Sequence, residues 1–108
     1  MSAFTVLEDV LQTHPAVAEA AVIAIPDERL GEVPKAYIVR RRFASPRELI
    51  AWVADQVAPY PRIREIEFVE TLPKSRDGKV LHWLLAVREQ AVSADSSAVA
   101  PIGTTRDG

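Results

Sequence analysis

The chain has 108 residues, 48% of them hydrophobic and 26% charged, the make-up of one globular domain with little room for a second. Lys and Arg number 13 against 15 Asp and Glu, a net charge of −2, so the chain lacks the positive surplus with which sequence-blind nucleic-acid binders displace counterions. The absence of cysteine excludes disulfides, thiolate nucleophiles and cysteine zinc sites, and no apolar run approaches the roughly 20 residues of a membrane span. The start, Met-Ser-Ala-Phe-Thr, has neither the charged lead nor the long apolar stretch of a signal peptide, which points to a cytoplasmic protein.

Val6, Leu7, Val10 and Leu11 fall on one face of a short helix. His14-Pro15 ends it, because the residue before a proline is pushed out of the helical region. Ala20 to Ile25, AAVIAI, is a short apolar run bounded by Pro26 and reads as a buried strand. Pro26 to Pro34, PDERLGEVP, reads as a charged loop, and Lys35 to Arg42, KAYIVRRR, as a second strand close enough to pair antiparallel with the first. Ser45-Pro46-Arg47-Glu48 is a helix start: a serine cap, a proline at the first position and a glutamate that closes a capping box. Leu49, Ile50, Val53 and Val57 form that helix's apolar stripe, and Ala58-Pro59-Tyr60-Pro61 stops it. Arg64 to Val69, REIEFV, alternates as a half-exposed strand, with Ile66 and Phe68 on one face and Glu65 and Glu67 on the other. After the polar loop Thr71 to Gly78, the residues Val80, Leu81, Leu84, Leu85 and Val87 mark a last helix with Asp77 as its N-cap.

This order predicts an α+β fold, α-β-β-α-β-α. A small sheet of about three strands, an antiparallel pair plus a crossover strand, packs with three helices. Residues 1–90 form the expected domain. Residues 91–108, AVSADSSAVAPIGTTRDG, have no aromatic residue and are rich in Ala, Ser, Thr and Gly, so they read as a disordered tail.

The segment with the most chemical promise is Pro73-Lys74-Ser75-Arg76-Asp77-Gly78-Lys79, three cations and a glycine leading into a helix. Helix N-termini attract anions, and a lysine in the first turn opposes the helix dipole, so Lys79 makes sense beside a phosphate or carboxylate. A solvated glycine-containing loop is the alternative reading, and the spacing of a P-loop is absent. Asp27, Glu28 and Glu32 do not match a calcium loop and read as a solvated turn. His14 and His82 form no metal pattern, and Trp52 and Trp83 sit in helical patterns as packing residues.

Four stretches carry a family resemblance: Leu11 to Glu19, Ala21 to Pro34, Val57 to Phe68 and Leu72 to Leu81. In order and spacing they resemble the small C-terminal domain of the superfamily of acyl-CoA synthetases, nonribosomal-peptide adenylation domains and luciferases. The resemblance spans roughly residues 6–90. It implies an enzyme that uses ATP, with Mg, to turn a carboxylate into an acyl-adenylate and then passes the acyl group to CoA or a carrier thiol. A large N-terminal adenylating domain is the implied partner, and the small domain is its lid. The resemblance implies that Lys79 is the catalytic lysine of adenylation, with Lys74, Ser75 and Gly78 beside the substrate. It implies that Gly31 and Glu32 lie toward the face that meets the thiol. Pro61 stands where many relatives carry lysine, and His82 and Trp83 where they often carry basic residues.

The expected function is therefore a lid domain that supplies Lys79 to a large domain in trans, or that is cut from a full enzyme, and that binds no cofactor alone. The alternative is an inactive binding or regulatory module that keeps the lid fold. A lid face without its large domain is also a candidate for self-association.

Overall fold

The computed structural model describes residues 3–57 and 62–99. The elements follow as α1 (Ala3–Gln12), β1 (Val17–Asp27), β2 (Gly31–Arg40), α2 (Pro46–Gln56), β3 (Glu65–Phe68) and α3 (His82–Val99). Order and class are those the sequence predicts. The sheet runs β1-β2-β3, with β1 and β2 antiparallel and β3 parallel to β2 after the crossover through α2.

β1 is buried on both faces, which is why AAVIAI shows no polar alternation. Ala20 and Val22 join Leu7 and Leu11 of α1 and Leu49 and Val53 of α2 in one core. Ala21, Ile23 and Ile25 join Tyr37, Leu72 and Leu85 in a second core under α3. Both strands are longer than the apolar runs predict. β1 takes in Pro26 and β2 takes in Pro34, so the charged loop shrinks to Glu28-Arg29-Leu30. Pro26 is tolerated on an edge strand. Pro34 in the central strand still serves as an acceptor, taking the Arg64 N–H at 2.8 Å. Asp27 closes the turn. Its carboxylate accepts the N–H groups of Leu30 at 2.8 Å and Arg29 at 3.1 Å and pairs with Arg64 at 3.2 Å. These contacts, the Leu30 N–H first, hold the carboxyl below its usual pKa.

Ser45 caps α2 as expected, its Oγ accepting the Glu48 N–H at 3.1 Å. The Glu48 carboxylate turns instead to His14 Nε2 at 2.9 Å, while His14 Nδ1 accepts the Ala16 N–H at 3.0 Å. His14 is buried against the edge of Trp52, so it joins α1, β1 and α2 as a core residue. The expected helix stop, Ala58 to Pro61, lies outside the described residues.

α3 begins at His82 rather than Val80, because Val80 is taken by an antiparallel bridge to Lys74. Asp77 is therefore not its N-cap, and Lys79 precedes the helix instead of standing in its first turn. At the other end α3 continues to Val99, past residue 90, where composition places the end of the folded part. Residues 91–99 contain Ala, Val, Ser and Asp with no Gly or Pro before Pro101, so nothing in the backbone stops the helix. Residues 100–108 of the expected tail lie outside the described residues.

α3 is fastened to the sheet by an ionic network. The parallel register sets Lys35 beside Glu65 and Tyr37 beside Glu67. Lys35 Nζ lies 2.6 Å from Glu89, 3.1 Å from Glu67 and 3.6 Å from Glu65. The Tyr37 hydroxyl donates to the same Glu89 oxygen at 2.7 Å. Burial works against the Lys35 charge, but hydrogen bonds to Glu89 and Glu67 outweigh it and raise its pKa. Burial and the Glu89 hydrogen bond push Tyr37 from 10.0 up to about 12. Glu89 is drawn the other way: burial raises its pKa, and the hydrogen bonds from Lys35 and Tyr37 lower it by more.

Because the folded state holds the Tyr37 and Lys35 protons more tightly than the unfolded chain, their contribution is present below the unfolded pKa values. For Tyr37 it is lost as pH rises from 10.0 to about 12. The Glu89 contribution has the opposite sign and is lost on acidification through its lowered pKa. Urea midpoints measured from pH 8 to 12 are expected to fall above pH 10, and less steeply in Tyr37→Phe. An identical decline in that variant would contradict the assignment.

Candidate functional site

The segment from Pro73 to Leu81 is a small hairpin tied down at its base. The Leu81 N–H reaches the Pro73 carbonyl at 2.9 Å, Lys74 bridges Val80, and the Ser75 N–H reaches the Lys79 carbonyl at 2.9 Å. Buried Leu72 anchors the entry to the hairpin in the core beneath α3. Ser75 organises the tip. Its hydroxyl donates to the Asp77 carboxylate and accepts the Lys79 N–H at 3.3 Å, while its carbonyl accepts the Gly78 N–H at 3.0 Å. The Ser75 hydroxyl is the largest influence holding the Asp77 carboxyl below its usual pKa. The turn needs Gly78 for its backbone: φ is +86°, and nothing lies within 4 Å of where a Cβ would stand.

The hairpin separates its lysines. Lys74 Nζ is committed to Glu19 of β1 at 2.7 Å. The Lys79 side chain is exposed, and its ammonium has no hydrogen-bond or ion-pair partner among the described residues. Both lysines line an open groove of about 530 Å³ with Glu19, Gly78, Glu8 and His82. Its far wall is fixed: Glu8 accepts the Val22 N–H at 2.8 Å and pairs with His82 at 2.5 Å, joining α1, β1 and α3. The groove thus presents an uncommitted ammonium on a rigid turn, the geometry for contacting an anion brought from outside the domain.

Gly31 and Glu32 stand elsewhere. Gly31, with φ of +84°, pairs with Asp27 at the end of the β1–β2 hairpin, and Glu32 borders a hollow with Leu30, Arg62 and Arg64. Glu19 and Asp27 lie toward opposite ends of β1, about 26 Å apart at ~3.3 Å per residue. The expected site residues therefore form two groups. Lys74, Ser75, Gly78 and Lys79 share one hairpin, and Gly31 and Glu32 lie at the other end of the sheet.

The two tryptophans differ. Trp52 packs, with Nε1 donating to the Val10 carbonyl at 3.2 Å and to Thr13 Oγ1 at 3.1 Å. Trp83 is 62% exposed, which corrects its reading as a packing residue. It lines an open hollow with Thr5 of α1 and Ala24 of β1, and the core contact falls to Leu85. Glu8 and Glu19, which wall the groove, escape sequence reasoning because nothing local sets either apart: Glu8 is one of two acids in α1 and Glu19 a lone acid in an apolar stretch. Only the fold brings them to Lys79. Among the described residues no cluster of His, Asp and Glu could hold a metal ion, and no helix is long and apolar enough to cross a membrane.

The family model for the AMP-binding enzyme C-terminal domain matches residues 6–79. The 4-coumarate–CoA ligase-like 5 protein of Oryza sativa is 45% identical over 93 residues, covering 84% of this chain and 17% of that protein. The peroxisomal OPC-8:0-CoA ligase 1 of Arabidopsis thaliana is 48% identical over 77 residues, covering 69% of this chain and 14% of that protein. The crystal structure of Brucella canis acyl-CoA synthetase superposes with a TM-score of 0.73 at 35% identity, over 81% of this chain and 18% of that one. The chain thus spans less than a fifth of the length of these relatives. The matched region includes the strands, α2 and the hairpin as far as Lys79, so sequence and fold agree on one conclusion: the chain belongs to the family of AMP-binding enzyme C-terminal domains.

Proposed function

We propose that this domain is the lid of an adenylate-forming acyl-CoA ligase. In this reading it supplies Lys79 to an ATP- and acyl-binding site on a large N-terminal domain, in the same protein or in trans. The observation that supports it is the exposed, uncommitted Lys79 ammonium on a hairpin held by its backbone bonds and by the Lys74–Glu19 pair. In adenylation a carboxylate oxygen attacks the α-phosphorus of ATP, the new O–P bond forms, and the bond to pyrophosphate breaks. Charge gathers on the phosphoryl oxygens beside the attacking carboxylate. A compact ammonium on a flexible stem can contact both. ATP, its Mg and the acyl group are assigned to the large domain. Gly31 and Glu32, at the other end of the sheet, are assigned to the orientation in which CoA attacks the acyl-adenylate.

The test is a graft. A full-length family ligase loses its own C-terminal domain, receives this chain in its place, and is assayed with its own acid, ATP and CoA. Acyl-CoA formation is expected to rise about tenfold or more above the truncated enzyme, since the lid restores positioned charge at the reacting centre. A graft that is folded by circular dichroism and no faster than the truncated enzyme would overturn the reading.

A further inference from the structure

We infer that Glu19 and Lys74 are positioning residues for Lys79: their ion pair clamps the hairpin to β1 and so sets where the Lys79 ammonium stands. The inference rests on the reading of Lys79 given above. An isolated two-stranded hairpin is marginal in water, and this one has a single bridged pair, Lys74 with Val80. Among the described residues the Lys74–Glu19 bond, at 2.7 Å, is the one polar side-chain tie from the hairpin to the sheet, and it crosses 55 residues of sequence. Lys74 is bridged to Val80, the neighbour of Lys79, so a restraint on Lys74 passes across one rung to Lys79.

Glu19 is placed for this task by the strand itself. The pairing of β1 with β2 shifts register between Val17 and Glu19, and such an irregularity re-aims a side chain. One carboxylate oxygen, Oε2, holds Lys74, while Oε1 is shut from solvent with no hydrogen-bond partner. Lys74 is thus the carboxylate's compensating partner. Both side chains are 36% exposed, and a pair that open to water contributes little to stability. Its consequence is geometric, and also electrostatic: with Lys74 neutralised by Glu19, Lys79 is the uncommitted lysine in the groove.

The experiment uses the grafted ligase. Lys74→Met and Glu19→Gln are each expected to lower kcat for ATP-dependent pyrophosphate release by about 10- to 100-fold, the scale of a misplacement of about 1 Å. KM for ATP and acid is expected to change less than about twofold, and thioester formation from supplied acyl-adenylate is expected to stay intact. The double variant E19K/K74E, which restores the pair with reversed charges, is expected to recover most of the rate. A structural role alone would instead lower the melting temperature and slow both half-reactions together, which would overturn the inference. Full pyrophosphate release in Lys74→Met, or no recovery in the double variant, would overturn it as well. Lys79→Ala in the same background separates the two readings. If it retains adenylation, the proposed function and the inference fall together. If it loses adenylation while Lys74→Met does not, the positioning role alone is overturned.

Discussion

Lys35→Met should lower the unfolding free energy by about 3 kcal/mol, the low end of the cost of breaking a buried ion pair from one side. For a domain of this size that is a fall in Tm of about 15 °C. Lys35 is 6% exposed, and its ammonium is the shared partner of Glu89, Glu67 and Glu65. Removing it leaves like charges facing one another, with Glu89 largely shut from water. Arg88 still pairs with Glu67 at 3.0 Å, but it does not replace the contact to Glu89. Glu89→Gln should cost clearly less, because Lys35 retains Glu67 and the amide oxygen still accepts from Tyr37. Urea denaturation of the two variants checks the order. A loss under about 1 kcal/mol for Lys35→Met would mean that the network is screened like a surface pair.

Lys79→Ala should leave stability almost unchanged and slow adenylation by about 10²- to 10³-fold in the grafted ligase, the usual consequence of removing one charge-stabilising contact. The first half follows from the structure: the side chain is exposed and its ammonium has no partner among the described residues, so the change belongs to the surface class, within about 0.5 kcal/mol. The second half follows from the proposed chemistry. Lys79→Arg should recover only part of the rate, because a planar guanidinium replaces a compact charge that must sit between two oxygens. Pyrophosphate release and thermal melts on the same preparations read both halves. A large loss of stability in Lys79→Ala would show that the residue has a structural task.

The element order could be read from the chain because each element carries its own local signal: the stripe of Leu7 and Leu11, the apolar run AAVIAI, the Ser45-Pro46 start, the alternation around Ile66 and Phe68. The ends were less legible. Pro26 and Pro34 read as breakers, yet one lies on an edge strand and the other still accepts a hydrogen bond from Arg64. Val80 and Leu81 fit the helical period of α3, but Val80 is committed to a bridge across a turn that only Gly78 makes affordable.

The site divides the same way. Lys79 stood out as a cation in a glycine-containing loop. The partner that distinguishes Lys74 from it did not, because Glu19 lies 55 residues away in sequence and nothing local marks it. Lys35 was hidden for a related reason. A lysine at the start of a strand reads as solvated until the parallel register brings Glu65 and Glu67 alongside and α3 brings Glu89 over the top.

The central claim is that Lys79 acts in adenylation and not in the thioester-forming step. The direct measurement is a pair of single-turnover reactions on the grafted ligase and its Lys79→Ala variant. One starts from acid and ATP, the other from supplied acyl-adenylate and CoA. The account predicts a loss of about 100-fold or more in the first and a change within about twofold in the second. Equal losses in both reactions, or no loss in the first, would contradict it.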